Sequence, residues 1–82
     1  MSIEVVFGRH LRKFREGKGL SQEELAFRSN LDRTYISLLE RGKRRPTINT
    51  IFALAKSLDA APSDMIKMVE LELATDITGR EP

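Results

Sequence analysis

Only Ser29-Asn30-Leu31 lies between two short stretches of helical periodicity, and no other interval limits the shape of this chain so tightly. Two short helices joined by so tight a turn cannot lie antiparallel, so they cross at a steep angle. Asn30 falls where the chain needs a positive φ, and asparagine is the best substitute for glycine there. Upstream, Ser21-Gln22-Glu23-Glu24 is a capping box that starts a helix at Gln22, with Leu25 and Ala26 inward. The smallness of Ala26 lets another helix approach closely. Phe27 points roughly opposite to Leu25, so it is either packed under a neighbouring segment or left partly exposed. Downstream, Asp32 is a good N-cap and Gly42 the expected left-handed stop. Between them Ile36 and Leu39, about 60° apart, face inward, while Thr34, Ser37, Leu38 and Arg41 gather on the other side. A helix this short is marginal alone. Its polar side therefore points to presentation of that face to something outside the protein.

The charges indicate what that something is. The 82-residue chain carries a net charge of only +2, but unevenly. From Arg28 to Arg45 there are six cations against two anions, and from Asp59 to Pro82 two cations against six anions. A basic middle and an acidic end suit a polyanion docking on one face. At this length the chain makes one domain with a small core, burying about 60–65% of the surface that its unfolded form exposes. With no cysteine there is no disulfide or thiolate metal site, and a reducing compartment is expected. Nothing near Met1 resembles a signal peptide and no apolar run approaches a membrane span, so the expected location is the cytoplasm.

The remaining helices supply the frame. A first helix is predicted from about Ile3 to Lys18, capped by Ser2, with Ile3, Phe7, Leu11 and Phe14 on one arc and Gly17 and Gly19 closing it. His10, the only histidine, lies at the edge of that arc and reads as a half-buried helix residue rather than a ligand or a base. After Pro46, Thr47 caps a fourth helix whose Ile48, Ile51, Phe52, Ala55 and Leu58 line one side, with Leu54 near the edge. A fifth helix, capped by Ser63, has one stripe of Met65, Ile66, Val69 and Leu73 and a second of Met68 and Leu71. A terminal helix in a small domain buries one face against its own core, so the other needs a partner unless the helix lies deep enough to bury both. The folded domain is expected over 1–74, with a flexible tail over 75–82.

Gln22, Ala26, Asn30, Ile36 and Leu39 match the first, fifth, ninth, fifteenth and eighteenth positions of the helix-turn-helix template, with Asn30 in place of the usual glycine. The wider string of Leu20 to Ala26, then Tyr35-Ile36-Ser37, Glu40-Arg41-Gly42, Pro46 and Ile51…Leu54-Ala55…Leu58, resembles the Cro/CI-type (XRE) family of transcriptional regulators over about Phe7 to Met68. The run Ser29 to Arg41 is also similar to the small controller proteins of restriction–modification systems. The resemblance implies an all-α, compact five-helix, lambda-repressor-like DNA-binding domain, with the helix-turn-helix formed by helices 2 and 3. It also implies a homodimer joined through the fifth helix, by Met65, Ile66, Met68, Val69, Leu71 and Leu73.

On that reading the third helix enters the major groove. Arg33 is long enough to meet a guanine edge bidentately, Thr34 and Ser37 reach bases or phosphate, and Leu38 suits thymine methyl groups. Tyr35 lies on the flank and donates its hydroxyl to phosphate. Ser21 and Gln22 stand at the positive end of the second helix, where the family's corresponding glutamine binds backbone phosphate. Arg41, Lys43, Arg44 and Arg45 add affinity through counterion release, gripping the backbone or dipping into the minor groove. The resemblance further implies a partly buried salt bridge between Arg15 and Glu40.

The leading expectation is a homodimeric regulator of transcription on a roughly palindromic duplex site, occluding RNA polymerase or recruiting it. The alternative is a protein-interaction module, such as an antitoxin or adaptor. An enzyme is the weakest reading, since there is no nucleotide-binding glycine pattern and the carboxylates are scattered. No cofactor, metal or small-molecule effector is expected.

Overall fold

The computed structural model describes residues 2–79, with side chains over 2–75. It contains five helices: α1 (Ile3–Gly17), α2 (Gln22–Ser29), α3 (Arg33–Glu40), α4 (Ile48–Ser57) and α5 (Pro62–Gly79). No strand occurs among the described residues. α1 packs on both α3 and α5, α2 on α3 and α4, and α4 on α5. The shared core holds Val6, Phe7, Leu11, Leu20, Leu25, Ala26, Ile36, Leu39, Leu54, Ala55, Leu58, Met65 and Val69.

The helix ends follow local chemistry. Ser2, Ser21 and Thr47 accept from Val5 N, Glu24 N and Thr50 N respectively, and Glu24 accepts in return from the Ser21 amide. Asp32 stands at the N-cap of α3 in extended conformation, but its side chain makes no capping bond. Asn30 is left-handed, at φ 58°, as is Asp59 at φ 53°. Behind each of them the chain closes a six-to-one bond, Leu31 N to Ala26 O at 2.9 Å and Ala60 N to Ala55 O at 2.9 Å. α5 begins at Pro62, whose missing N–H costs nothing in a first turn. Ser63 therefore lies inside that turn instead of capping it. At its far end α5 continues through Thr75 to Gly79, where the composition predicts a flexible tail; residues 80–82 of that tail lie outside the described ones.

Three expected core residues lie outside. Ile3 has the right helical angle but sits at the very start of α1, where little covers it, and is 62% exposed. Val6, one turn on and wedged between two neighbours, is fully buried in its place. On α4 the buried face is centred on Leu54 and Leu58, which turns Ile48 and Phe52 outward. The apolar residues of α4 span a wider arc than one neighbouring layer can cover, and angle alone does not say which edge is left out.

Candidate nucleic-acid interface

α3 is fastened by its inner side. Ile36 and Leu39 are fully buried, each contributing about 1.5–3 kcal/mol by leaving water, which offsets the weakness of a two-turn helix. Its far end is closed by Gly42 at φ 72°, with Gly42 N bonded to Leu39 O and Lys43 N to Leu38 O at 2.9 Å. On the flank, Tyr35 packs against the core and its hydroxyl lies 3.5 Å from Thr50 Oγ1 on α4.

A polar cluster fixes α3 against the two preceding helices. Arg15 Nε donates to Glu40 Oε2 at 2.6 Å and Arg15 Nη2 to Glu40 Oε1 at 3.0 Å, a two-pronged pair. The third nitrogen, Nη1, donates to the Leu20 carbonyl at 2.8 Å. Gln22 Nε2 donates to Glu40 Oε1 at 3.0 Å. The Glu40 side chain is 3% exposed, so this carboxylate is satisfied entirely from within. Its hydrogen bonds hold the Arg15 guanidinium charged, raising its pKa above the usual arginine value. One N–H of the Gln22 amide is thus taken by Glu40, while the side chain stays partly exposed. That bond ties the start of α2 to α3.

The outer side of α3 carries Arg33 and Thr34, both exposed, with Ser37 and Leu38 half-covered. Among the described residues, the Arg33 side chain makes no hydrogen bond or ion pair. Arg41 is exposed, with Nε 3.4 Å from Ser37 O. Lys43 and Arg44 are exposed, and Arg45 pairs with Glu4 at the start of α1, Nε to Oε2 at 3.0 Å. The donors on the outer side of α3 are therefore followed along the chain by the exposed cations of the next loop, with the buried anchors Ile36 and Leu39 between them. Ser21 is exposed but occupied by its capping box.

The residues expected to join two copies separate into two groups. Met65 and Val69 are 1% and 6% exposed, so they belong to the chain's own core and are not available as an interface, while Leu73 packs against that core and stays partly exposed. Ile66, Met68 and Leu71 are 44%, 41% and 51% exposed on α5, as Ile48 and Phe52 are exposed on α4.

Some residues that shape the site carry little sequence signal. Gly8 carries one cue alone, that a glycine inside an otherwise strong helix marks a close approach. Glu72 on α5 accepts from Arg9, and its Oε1 lies 2.7 Å from His10 Nε2. Bonds from Arg9 first, and from His10, hold the Glu72 carboxyl below the usual carboxylate range. His10 is 7% exposed, deeper than its position at the edge of the arc suggests, because this carboxylate from a distant helix meets its ring.

A short helix pinned across another by a three-residue turn, its outer side polar and continuous with a cationic loop, defines the helix-turn-helix class. The chain belongs to the Cro/CI-type (XRE) helix-turn-helix family, which it matches over residues 11–65. It is 41% identical over 66 residues to the control protein C.BamHI of Bacillus amyloliquefaciens, covering 79% of this chain and 82% of that one. The solved restriction-modification controller protein C.AhdI from Aeromonas hydrophila is 49% identical and superposes with a TM-score of 0.73, covering 74% of this chain and 92% of its own. A second controller protein, C.Esp1396I, has been solved as a tetramer in complex with its natural 35 base-pair operator. It is 35% identical with a TM-score of 0.80, over 90% of this chain and 97% of that one.

Proposed function

We propose that this chain is a sequence-specific DNA-binding regulator of transcription, acting as a homodimer on a roughly palindromic operator, in the manner of a restriction–modification controller protein. The observation that carries the reading is Arg33, exposed and unpaired among the described residues on the outer side of α3, a helix held in register by the Arg15–Glu40–Gln22 cluster and followed by a loop with exposed Lys43 and Arg44. Arg33, Thr34, Ser37 and Leu38 read base edges, while Ser21, the second N–H of Gln22, Tyr35, Arg41 and the loop cations grip the backbone. Similarity to controller proteins, one of them solved on its operator, supports the same reading. Ile66, Met68 and Leu71 join the two copies, and two α3 helices enter successive major grooves about 34–36 Å apart. Such a protein works by binding and not by catalysis. Over a promoter it excludes RNA polymerase, and just upstream it recruits it. No helix among the described residues is long and apolar enough to cross a membrane.

The test is selection of bound sequences from a random duplex pool, followed by binding at several salt concentrations. The expected result is a pair of symmetric half-sites and an affinity that falls steeply with salt. A pool with no enriched symmetric sequence would overturn it.

A further inference from the structure

The loop after α3 is folded back onto the start of α1. A Cβ placed on Gly42 would lie 2.8 Å from Val5 Cγ2 and 2.9 Å from Val5 Cα, so the left-handed stop of α3 is also the point where the loop touches α1. Beyond it, Arg45 Nε stands 3.0 Å from Glu4 Oε2 in an ion pair. Glu4 is thereby the one carboxylate in a shallow concavity whose other walls are Gly42, Lys43, Arg44 and Arg45. Arg45 alone pairs with that carboxylate, and Lys43 and Arg44 line the same concavity, so the protein's own anion sits where the loop gathers its three cations. The dipole of α1 welcomes a negative charge in its first turn, but the side-chain cap there is Ser2. The dipole does not explain why the Glu4 carboxylate reaches the loop. Of the pair, the Arg45 side chain is 88% exposed and that of Glu4 27%, so the carboxylate is the more covered partner and the arginine can swing away.

We infer that Glu4 is an internal stand-in for a backbone phosphate, holding Arg45 in the free chain and giving it up when the loop docks on a duplex. The inference rests on the DNA reading above. A guanidinium makes the same charge-assisted bonds to a carboxylate as to a phosphate, so Arg45 stays paired in both states and only its partner changes. The loop is then settled on α1 before DNA arrives, and fewer side-chain conformations are lost on docking. In exchange, Glu4 competes with the phosphate. The free chain binds less tightly than its cations alone would allow, so Glu4 sets the affinity without touching the duplex.

A double-mutant cycle on the full chain tests this, using fluorescence anisotropy with a duplex selected from a random pool. Glu4→Gln is expected to bind roughly two- to fivefold tighter, a ceiling set by what an exposed ion pair is worth, and the gain should vanish in an Arg45→Gln background. Glu4→Asp keeps the charge and the favourable dipole but shortens the reach to Arg45, and it should tighten binding in the same direction. An equal gain in both backgrounds would assign Glu4 to long-range repulsion and overturn the inference, as would no gain with either Glu4 variant. If the parent chain showed no salt-sensitive duplex binding, the DNA reading itself would fall and this inference with it. Binding by the parent without coupling in the cycle sinks the inference alone.

Discussion

Gly8 of α1 lies so close to the last turn of α3 that a Cβ at that position would stand 2.3 Å from the Leu39 carbonyl oxygen and 2.7 Å from that of Glu40. The absent side chain is what lets α1 seat against the end of α3, a few residues from the Arg15–Glu40 pair. In an open helix, Gly→Ala would stabilise by about 1 kcal/mol through propensity. Here the obstacles are backbone carbonyls, which cannot rotate aside. Gly8→Ala is therefore expected to destabilise by about 1–3 kcal/mol, the range for overpacking. Urea denaturation checks it, and a variant more stable than the parent would contradict so close an approach.

The Arg15–Glu40 pair is predicted to behave as a buried unit. Removing one partner, by Arg15→Met or Glu40→Met, strands the other charge and should cost roughly 3–5 kcal/mol. Arg15→Met combined with Glu40→Met should cost clearly less than the two single changes together, because no charge is left behind. Some loss will remain, since the Leu20 carbonyl and the Gln22 amide each lose a partner. Thermal melts of the four proteins measure the coupling; strictly additive losses would mean that the pair is not a unit.

Acid should weaken the fold through particular carboxylates. Bonds from Arg9 and His10 hold the Glu72 carboxyl below its ordinary value of 4.5, and the Ser21 backbone amide, with the Ser21 hydroxyl, does the same for Glu24. A carboxyl depressed in the folded state contributes stability that is fully present above its unfolded pKa and is lost as pH falls through the folded one. The melting temperature is therefore expected to be flat with respect to these two groups above about pH 5 and to drop below the ordinary carboxylate range. Glu72→Gln should lower stability at neutral pH and flatten that acid decline. An unchanged acid limb in this variant would remove Glu72 from the explanation.

Much of this architecture is legible in the amino-acid order itself. The capping box at Ser21, the left-handed Asn30, the stop at Gly42 and the two anchors Ile36 and Leu39 are all local, and local chemistry decides them. What stays hidden depends on neighbours distant in the chain. Helical angle places Ile3, Ile48 and Phe52 on apolar faces, but whether another helix covers a face is a fact about packing, and here none does. Gln22 shows the same limit within the candidate site. Its place at the start of α2 points to an external anion, while Glu40, 18 residues away, takes one N–H of its amide. Asp59 reads as part of a plain connection because aspartate is only an occasional occupant of the left-handed region.

Reading and gripping should separate by mutation. Arg33→Ala is expected to cost about 1–3 kcal/mol on the selected duplex and to relax preference at one position of each half-site. Lys43→Ala or Arg44→Ala should weaken binding about equally on all sequences and reduce the salt slope by about 1 for each phosphate left without its cation. Competition binding against single-base variants of the duplex distinguishes the two patterns. Uniform weakening by Arg33→Ala would move that residue from the bases to the backbone.

The apolar residues of α5 should divide between folding and assembly. Met65 is 1% exposed and Leu71 51%, so a carboxylate at the first position enters the core and one at the second meets whatever covers the outer face. Met65→Glu is expected to unfold the chain, since a buried unpaired charge is among the costliest substitutions. Leu71→Glu and Met68→Glu should leave the melting of the isolated subunit nearly unchanged while halving the mass seen by light scattering. Operator affinity should then fall much further than removal of a single side chain from the duplex would explain, because a dimer holds two α3 helices on one duplex and a monomer must bind each half-site separately. Phe52→Glu supplies the control from α4, where the residue is 59% exposed. If that change separates the copies and Leu71→Glu does not, the interface is centred on α4, with α5 contributing its flank through Ile66.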